Sequence, residues 1–213
     1  VQAAKRLADN ITAYGNHLTT GFLGTPCLCH VLTRFGYNEL AFKLLLQETY
    51  PSWLYPVKNG ATTIWERWDG QKPDGSFQNE GMNSFNHYAY GAIGDWMYRV
   101  LAGIDTYEDG VGYKHSKIKP LIGGGFTHAS ASFETYYGML SSAWSLEGDK
   151  LTMKVEIPAN TEANVFVPVR EGGSIFESGK SIEQEPEIRI ILNAGELVVL
   201  RVGSGKYVFT SGL

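Results

Sequence analysis

The sequence has no long apolar run and no excess of basic charge. A membrane-spanning helix needs about 20 mostly apolar residues, and no stretch of the 213 residues meets that requirement, so we expect no membrane span. Residues 1–102 carry eight basic and eight acidic side chains, whereas residues 103–213 carry ten basic and fourteen acidic ones. Because neither half is basic, the charge balance argues against a nucleic-acid partner.

Cysteine is almost absent, since Cys27 and Cys29 are the only two. They stand two positions apart on a predicted helix, so their side chains point in nearly opposite directions and cannot form a regular disulfide. The sequence therefore predicts no disulfide framework and no zinc site of the cysteine type. No metal-ligand spacing of histidine or cysteine occurs either, and we expect no cofactor.

The sequence is rich in apolar and aromatic residues, with 43% hydrophobic, 13% aromatic and 19% charged residues. This composition is typical of a globular chain rather than a disordered one, and the length suggests one or two domains. The composition changes near residue 103, because four of the five tryptophans precede it and short alternating segments follow it. We predict a helical part over 1–102, a linker rich in Gly and Asp over 103–112, and a β-domain over 113–213.

Two helices are predicted early in the chain. The pair Thr25-Pro26 suits a helix start, and the helix over Cys27–Phe35 would end at Gly36. A second helix capped by Asn38 would follow at once, which predicts an antiparallel helical hairpin.

The longest predicted helix covers Ser84–Ala102, because its apolar residues recur at helical spacing. This helix would carry His87 on a face of small and polar residues. The stretch Tyr55–Met82 before it is predicted to be long, irregular and ordered, since it contains Trp65 and Trp68.

The pattern of residues 113–213 predicts an antiparallel β-sandwich, because short strands recur about every 8–12 residues. The predicted strands are Lys114–Ile122, Thr127–Thr135, Gly138–Leu146, Leu151–Ile157, Glu162–Val169, Ile188–Leu192, Leu197–Val202 and Tyr207–Thr210.

Glu66 is the strongest candidate for chemistry. It lies between Trp65 and Trp68 and could act as a fixed carboxylate beside aromatic surfaces, an arrangement that suits sugars because their apolar ring faces stack on aromatics while their hydroxyls need acceptors. The alternative is structural, with Thr63 and Glu66 forming a capping box. That helix would be stopped by Asp69-Gly70 within about two turns, so both interpretations stay open.

Two further features also have structural alternatives. His87 could contact a ligand or could be a satisfied structural histidine. The glycine-punctuated stretch His17–Thr25 could approach a site or could be an ordinary loop between helices.

Four blocks together resemble a known family. They are His17–Thr25, Leu45–Trp53, Ala61–Trp68 and Ser84–Tyr98. Their order and spacing resemble the C-terminal part of the bacterial α-L-rhamnosidases, and the segments Lys114–Pro120 and Val155–Asn160 are similar to that family's C-terminal sandwich.

The resemblance implies an inverting glycoside hydrolase that removes terminal α-L-rhamnose from glycans or glycosides. The fold would comprise the last helices of a six-hairpin α/α toroid and a β-sandwich. By this likeness Glu66 is the general base, His87 contacts the rhamnose, and Trp65 and Trp68 flank the site as substrate-binding residues. The partners would be a rhamnose-containing glycan and the N-terminal part of the same enzyme.

The same resemblance places the general acid upstream of residue 1, and Val1 lies in what reads as the middle of a helix. We therefore expect a fragment that is inactive alone. These residues do not give the compartment, and an exported enzyme, periplasmic or extracellular, is favoured only because enzymes that degrade glycans are usually exported. Two alternatives stay open: another six-hairpin glycosidase or phosphorylase, and a carbohydrate-binding or structural module without catalysis.

Overall fold

A computed structural model describes residues 1–213, which divide into two compact units, Val1–Trp96 and Met97–Leu213. No helix in either unit combines the length and the apolar character needed to cross a bilayer. The first unit consists of helices and irregular segments, and the second is built from two β-sheets.

The first unit contains five α-helices and one 3₁₀ turn. They are α1 (Gln2–Ala13), α2 (Thr25–Arg34), α3 (Asn38–Leu45), α4 (Leu54–Lys58), the 3₁₀ turn Tyr88–Ala92, and α5 (Ile93–Trp96). Helices α2 and α3 form the predicted pair, and Gly36 between them has a φ of 84°. Helix α2 begins at the pair Thr25-Pro26, as predicted, but neither Thr25 nor Asn38 caps a helix with its side chain, so the expectation of side-chain caps is wrong. The Thr25 hydroxyl instead donates to the Thr20 carbonyl at 2.9 Å.

Trp96 occupies the core of the first unit and is only 1% exposed. Its ring meets that of Phe42 edge-on, with centroids 5.6 Å apart, and its Nε1 donates to the Thr33 hydroxyl at 2.9 Å. Since Thr33 lies on α2 and Phe42 on α3, one indole fastens α5 to both helices of the pair. Other buried side chains of this unit include Ala4, Ala8, Ile11, Leu28 and Leu32.

The long helix predicted over Ser84–Ala102 is wrong. The chain is irregular through His87, then forms the 3₁₀ turn, α5 and a π-helix over Met97–Leu101. Two glycines, Gly91 and Gly94, lower the helix propensity of this region.

A second cause lies in the main chain of Ser84–His87, which bonds to another segment. The Glu66 N–H donates to the Ser84 carbonyl at 2.8 Å, and the His87 N–H donates to the Ile64 carbonyl at 2.9 Å. These bonds hold the backbone in a non-helical path, so His87 precedes the helical turns rather than lying on a helix face.

The predicted irregular stretch is largely confirmed. Its first residues belong to α4, and beyond that helix it contains only an isolated bridge between Gln71 and Phe77. The capping box is wrong, because no helix begins at Thr63, whose hydroxyl donates to the Phe85 carbonyl.

The second unit is a β-sandwich. Its strands are β1 (Ile104–Thr106), β2 (His115–Ile118), β3 (His128–Thr135), β4 (Gly138–Glu147), β5 (Lys150–Ile157), β6 (Glu162–Pro168), β7 (Phe176–Glu177), β8 (Lys180–Ser181), β9 (Arg189–Asn193), β10 (Leu197–Val202) and β11 (Gly205–Gly212). One sheet has the order β1-β2-β6-β10-β9 and the other β3-β4-β5-β11-β7-β8. Each predicted strand has a counterpart, and all pairs are antiparallel except β2 with β6, which are parallel.

Side chains along the strands alternate between the core and the surface, as a period of two requires. On β5, Leu151, Met153, Val155 and Ile157 are all at most 2% exposed. The segment predicted as a linker departs from expectation, because residues 104–106 form edge strand β1, paired with β2.

Candidate functional site

A cavity of about 330 Å³ lies in the first unit. Its lining residues are Phe22, Tyr50, Glu66, Arg67, Trp68, Asp69, Gln78 and Tyr90. The volume falls within the range of small-molecule sites, about 300–1,000 Å³. The lining combines aromatic rings with two carboxylates and an amide, so it can stack against one face of a ligand and bind hydroxyl groups around it.

Glu66 is held in this cavity by the main chain of Ser84. Besides the bond from its own N–H, Glu66 accepts the Ser84 N–H on Oε2 at 2.8 Å. Its other oxygen, Oε1, makes no hydrogen bond within the chain. One carboxylate oxygen is therefore fixed, and the other is free to accept a proton or a hydrogen bond from a ligand.

Trp68 and Tyr90 form the aromatic wall of the cavity. Their rings are stacked, with centroids 3.7 Å apart and planes 19° from parallel. Trp53 packs edge-on against Trp68 at 5.9 Å and donates its Nε1 to the Tyr90 carbonyl at 2.9 Å. Because Trp53 is buried and contacts both residues, it fixes the position of the wall.

The other two predicted substrate-binding residues lie outside the lining of this cavity. Trp65 is only 6% exposed and packs edge-on against Phe85 at 5.1 Å. His87 stacks on Phe22 with centroids 4.6 Å apart, so it lies one ring behind a lining residue. The Nδ1 of His87 is buried and has no hydrogen-bond partner.

Polar groups surround the wall. Partial burial, with the negative charge of Asp69 as a smaller cause, raises the pKa of the Tyr50 phenol. Burial also raises the pKa of the Tyr90 phenol, and the positive charge of Arg67 partly opposes this rise. Both phenols are therefore neutral near pH 7 and can donate their O–H. The buried amide oxygen of Gln78 has no partner and is available as an acceptor.

Sequence reasoning identified part of this site. It singled out Glu66 and Trp68, but it missed Phe22, Tyr50, Gln78 and Tyr90 as lining residues. Phe22 lies in the stretch that could approach a site or be an ordinary loop, and Tyr90 lies in the segment predicted as a long helix. No three His, Cys, Asp or Glu side chains converge in an arrangement that could hold a metal ion.

Comparison with known proteins shows which family the chain belongs to. The family model described as the bacterial alpha-L-rhamnosidase 6 hairpin glycosidase domain matches residues 1–101, and that of the bacterial alpha-L-rhamnosidase C-terminal domain matches residues 103–181. The chain belongs to the bacterial α-L-rhamnosidase family. Curated α-L-rhamnosidases from Streptomyces avermitilis and Formosa agariphila are 42% and 40% identical over 98% and 97% of the chain. The chain covers 19% and 22% of them, about a fifth of their length.

Solved rhamnosidase structures have the same fold. The S. avermitilis α-L-rhamnosidase complexed with L-rhamnose superposes with a TM-score of 0.88 at 41% identity, covering 98% of this chain and 19% of that one. The Aspergillus terreus enzyme gives 0.81 at 35% identity, covering 99% and 21%. The predicted family and the predicted fold class, helices of a six-hairpin domain followed by a β-sandwich, are confirmed.

Proposed function

We propose that the chain is the C-terminal part of an inverting α-L-rhamnosidase and supplies its general base, Glu66. The substrate would be terminal α-L-rhamnose on a glycan or glycoside. The carrying observation is the Glu66 carboxylate, which lines a cavity of ligand size with Oε2 fixed by the Ser84 N–H and Oε1 free. The relatives named as α-L-rhamnosidases support the substrate class.

The chemistry follows from inversion. A general base must be ionised and within hydrogen-bond reach of its water. Oε1 of Glu66 takes one proton from a water molecule while the water oxygen bonds to the anomeric carbon, on the face opposite the leaving group. The bond to the leaving oxygen breaks, and a protonated carboxylic acid about 6.5–9.5 Å from the base donates its proton to that oxygen.

Ground-state binding is assigned to the aromatic wall and its polar rim. The stacked pair Trp68 and Tyr90 offers a face to the apolar side of the sugar ring, while Tyr50 and Gln78 offer a donor and an acceptor to its hydroxyls. His87 completes the contact through its unpartnered Nδ1, which requires a shift of Phe22.

We assign the general acid to a part of the enzyme beyond these 213 residues, in line with the chain's coverage of about a fifth of its relatives. Leaving-group protonation contributes roughly 10²–10⁴ in rate, so the 213-residue chain alone has negligible turnover in this account. Asp69, the other carboxyl group of the cavity, is the competing donor. An Asp69→Asn enzyme that hydrolyses activated aryl rhamnosides normally but loses activity on rhamnosides with poor leaving groups would transfer the acid role to it.

The test follows the anomer of the first product. The full-length enzyme is mixed with an aryl α-L-rhamnoside, and ¹H NMR is recorded before mutarotation equilibrates the sugar. The proposal expects β-L-rhamnose first and no comparable hydrolysis of the matched aryl α-D-glucoside. Initial release of α-L-rhamnose, or a preference for the glucoside, would refute it.

A further inference from the structure

The β3–β4 hairpin carries two tyrosines where a turn residue is expected. Thr135 pairs with Gly138, so the loop consists of Tyr136 and Tyr137 alone. Two-residue hairpin loops favour Asn, Asp and Gly. Tyr136 nevertheless occupies the tip and is fully exposed, at 101% of its reference surface. Its ring contributes nothing to the core of the sandwich.

The turn holds its shape without the Tyr136 side chain. The Thr135 hydroxyl donates to the Gly138 carbonyl at 2.9 Å and accepts the Tyr137 N–H at 3.1 Å. The neighbouring ring, Tyr137, lies 5.0 Å from the Lys114 ammonium. Tyr136 is therefore an aromatic side chain with no structural partner on a turn that other groups stabilise.

Beside this tip lies a cavity of about 380 Å³. Its lining residues are Gly112, Tyr113, Phe133, Glu134, Thr135 and Tyr136. The rings of Tyr113 and Phe133 are 5.1 Å apart and inclined by 50°, and Tyr136 lines the same cavity. Tyr113 has a φ of 66°, an uncommon conformation for an aromatic residue.

The charged groups that line the cavity are of one sign. Glu134 is exposed and its carboxylate forms no ion pair or hydrogen bond, while no Lys or Arg lines the cavity. A free carboxylate accepts hydrogen bonds from hydroxyls and repels anions. An anionic ligand is therefore excluded, and a neutral, hydroxylated ligand can lay its apolar face on the tyrosine rings while its hydroxyls donate to the carboxylate.

We propose that Tyr113, Phe133, Glu134 and Tyr136, the aromatic-hairpin site, bind a pyranose unit of a neutral glycan chain. The choice of a glycan rests on the proposed function, since polymeric glycans are what such an enzyme meets. This site lies in the β-unit, whereas Glu66 lies in the helical unit. A second contact with the same polymer raises apparent affinity without any new contact at the first site.

The test uses the full-length enzyme in affinity gel electrophoresis with a neutral rhamnan in the gel. We expect the rhamnan to retard the wild type and the apparent affinity of Tyr136→Ala to fall about tenfold. Tyr98→Ala, which removes another exposed tyrosine (47%), serves as the matched control and is expected to migrate as wild type. Tyr136→Ala is also expected to keep its kcat/KM on an aryl α-L-rhamnoside, because a substrate with a single pyranose ring occupies one site at a time.

Three results would overturn the proposal: wild-type retardation of Tyr136→Ala, no retardation of the wild type by the rhamnan, or retardation only by polygalacturonate. The second result is also the one expected if another part of the enzyme covers this surface. Failure of the proposed function gives a different result. The enzyme would then not hydrolyse the aryl rhamnoside, but the rhamnan would still retard the wild type more than Tyr136→Ala.

Discussion

Glu66 and Ser84 are joined by two hydrogen bonds of 2.8 Å, one from the Glu66 N–H to the Ser84 carbonyl and one from the Ser84 N–H to Glu66 Oε2. Both groups on the Ser84 side belong to the main chain, so the carboxylate is positioned by backbone rather than by a mobile side chain. Such fixation keeps Oε1 in one place before substrate arrives, which is how a general base avoids reorganisation during the reaction.

The first prediction separates the Ser84 backbone from its side chain. Ser84→Ala keeps the N–H and removes a hydroxyl that bonds to the Asn86 N–H, so we expect kcat on an aryl α-L-rhamnoside to change less than about threefold. Glu66→Asp keeps the negative charge but shortens the side chain by one methylene, which moves the carboxylate away from its position in the cavity. We expect a fall of about 10² in kcat. Steady-state kinetics of both full-length variants checks this, and equal losses would argue against positioning by the backbone.

The second prediction concerns the two tryptophans next to Glu66. Trp68→Ala removes a ring that lines the cavity, so we expect KM to rise about tenfold or more. Trp65→Phe changes a buried ring, so we expect a lower Tm with KM nearly unchanged. Kinetics and thermal unfolding of the same preparations distinguish the roles, and a KM effect confined to Trp65→Phe would reverse the assignment.

The β-sandwich could be predicted from sequence because its strands carry their own signal. Alternation at β5 and turn residues such as Gly148 place the strands within a few residues of where they lie. The parallel pairing of β2 with β6 and the edge strand β1 could not be predicted, since pairing depends on long-range contacts that leave no local pattern.

The site was only partly predictable for a related reason. Glu66 and Trp68 are neighbours in sequence, whereas Phe22, Tyr50 and Tyr90 reach the cavity from distant segments. The apolar spacing that predicted a long helix is real, but hydrogen bonds to the segment that carries Glu66 override it. The spacing of apolar residues within one segment carries no information about a backbone hydrogen-bond partner about 20 residues away.

The third prediction concerns thiol reactivity. Burial raises the pKa of the Cys29 thiol to about 12, and Cys29 is 1% exposed, whereas Cys27 is exposed. The thiolate is the reactive form, so of these two cysteines we expect a disulfide reagent at pH 8 to modify Cys27 and not Cys29 in the native protein. Cys27→Ser should lower the number of modified thiols by one and Cys29→Ser should leave it unchanged; modification of Cys29 in the native state, located by mass spectrometry, would contradict the packing described.

The fourth prediction concerns acid stability. Burial by itself raises the pKa of Asp105, but the hydrogen bond from Lys117, the Thr106 N–H and the charge of Arg99 outweigh it and hold that pKa below its ordinary value. A carboxyl group with a lowered pKa stabilises the fold fully above its unfolded pKa, about 3.9, and loses this effect as pH falls through the folded value.

Asp105→Asn should therefore lower the free energy of unfolding at pH 7, with a difference from wild type that shrinks below about pH 4. Urea unfolding at a series of pH values measures this. Asp109→Asn, which changes an exposed aspartate, serves as the control and should show no such trend. A difference that stays constant into acid would assign the effect to packing rather than to ionisation.

The central claim is that Glu66 is the general base, and the most direct measurement is kcat of full-length Glu66→Gln on an aryl α-L-rhamnoside. The amide is close in size and cannot take a proton from water, so we predict a fall of about 10²–10⁴ with KM little changed. Glu108→Gln, on an exposed residue of the other unit, should retain wild-type kcat. A Glu66→Gln enzyme that keeps wild-type kcat would contradict the account.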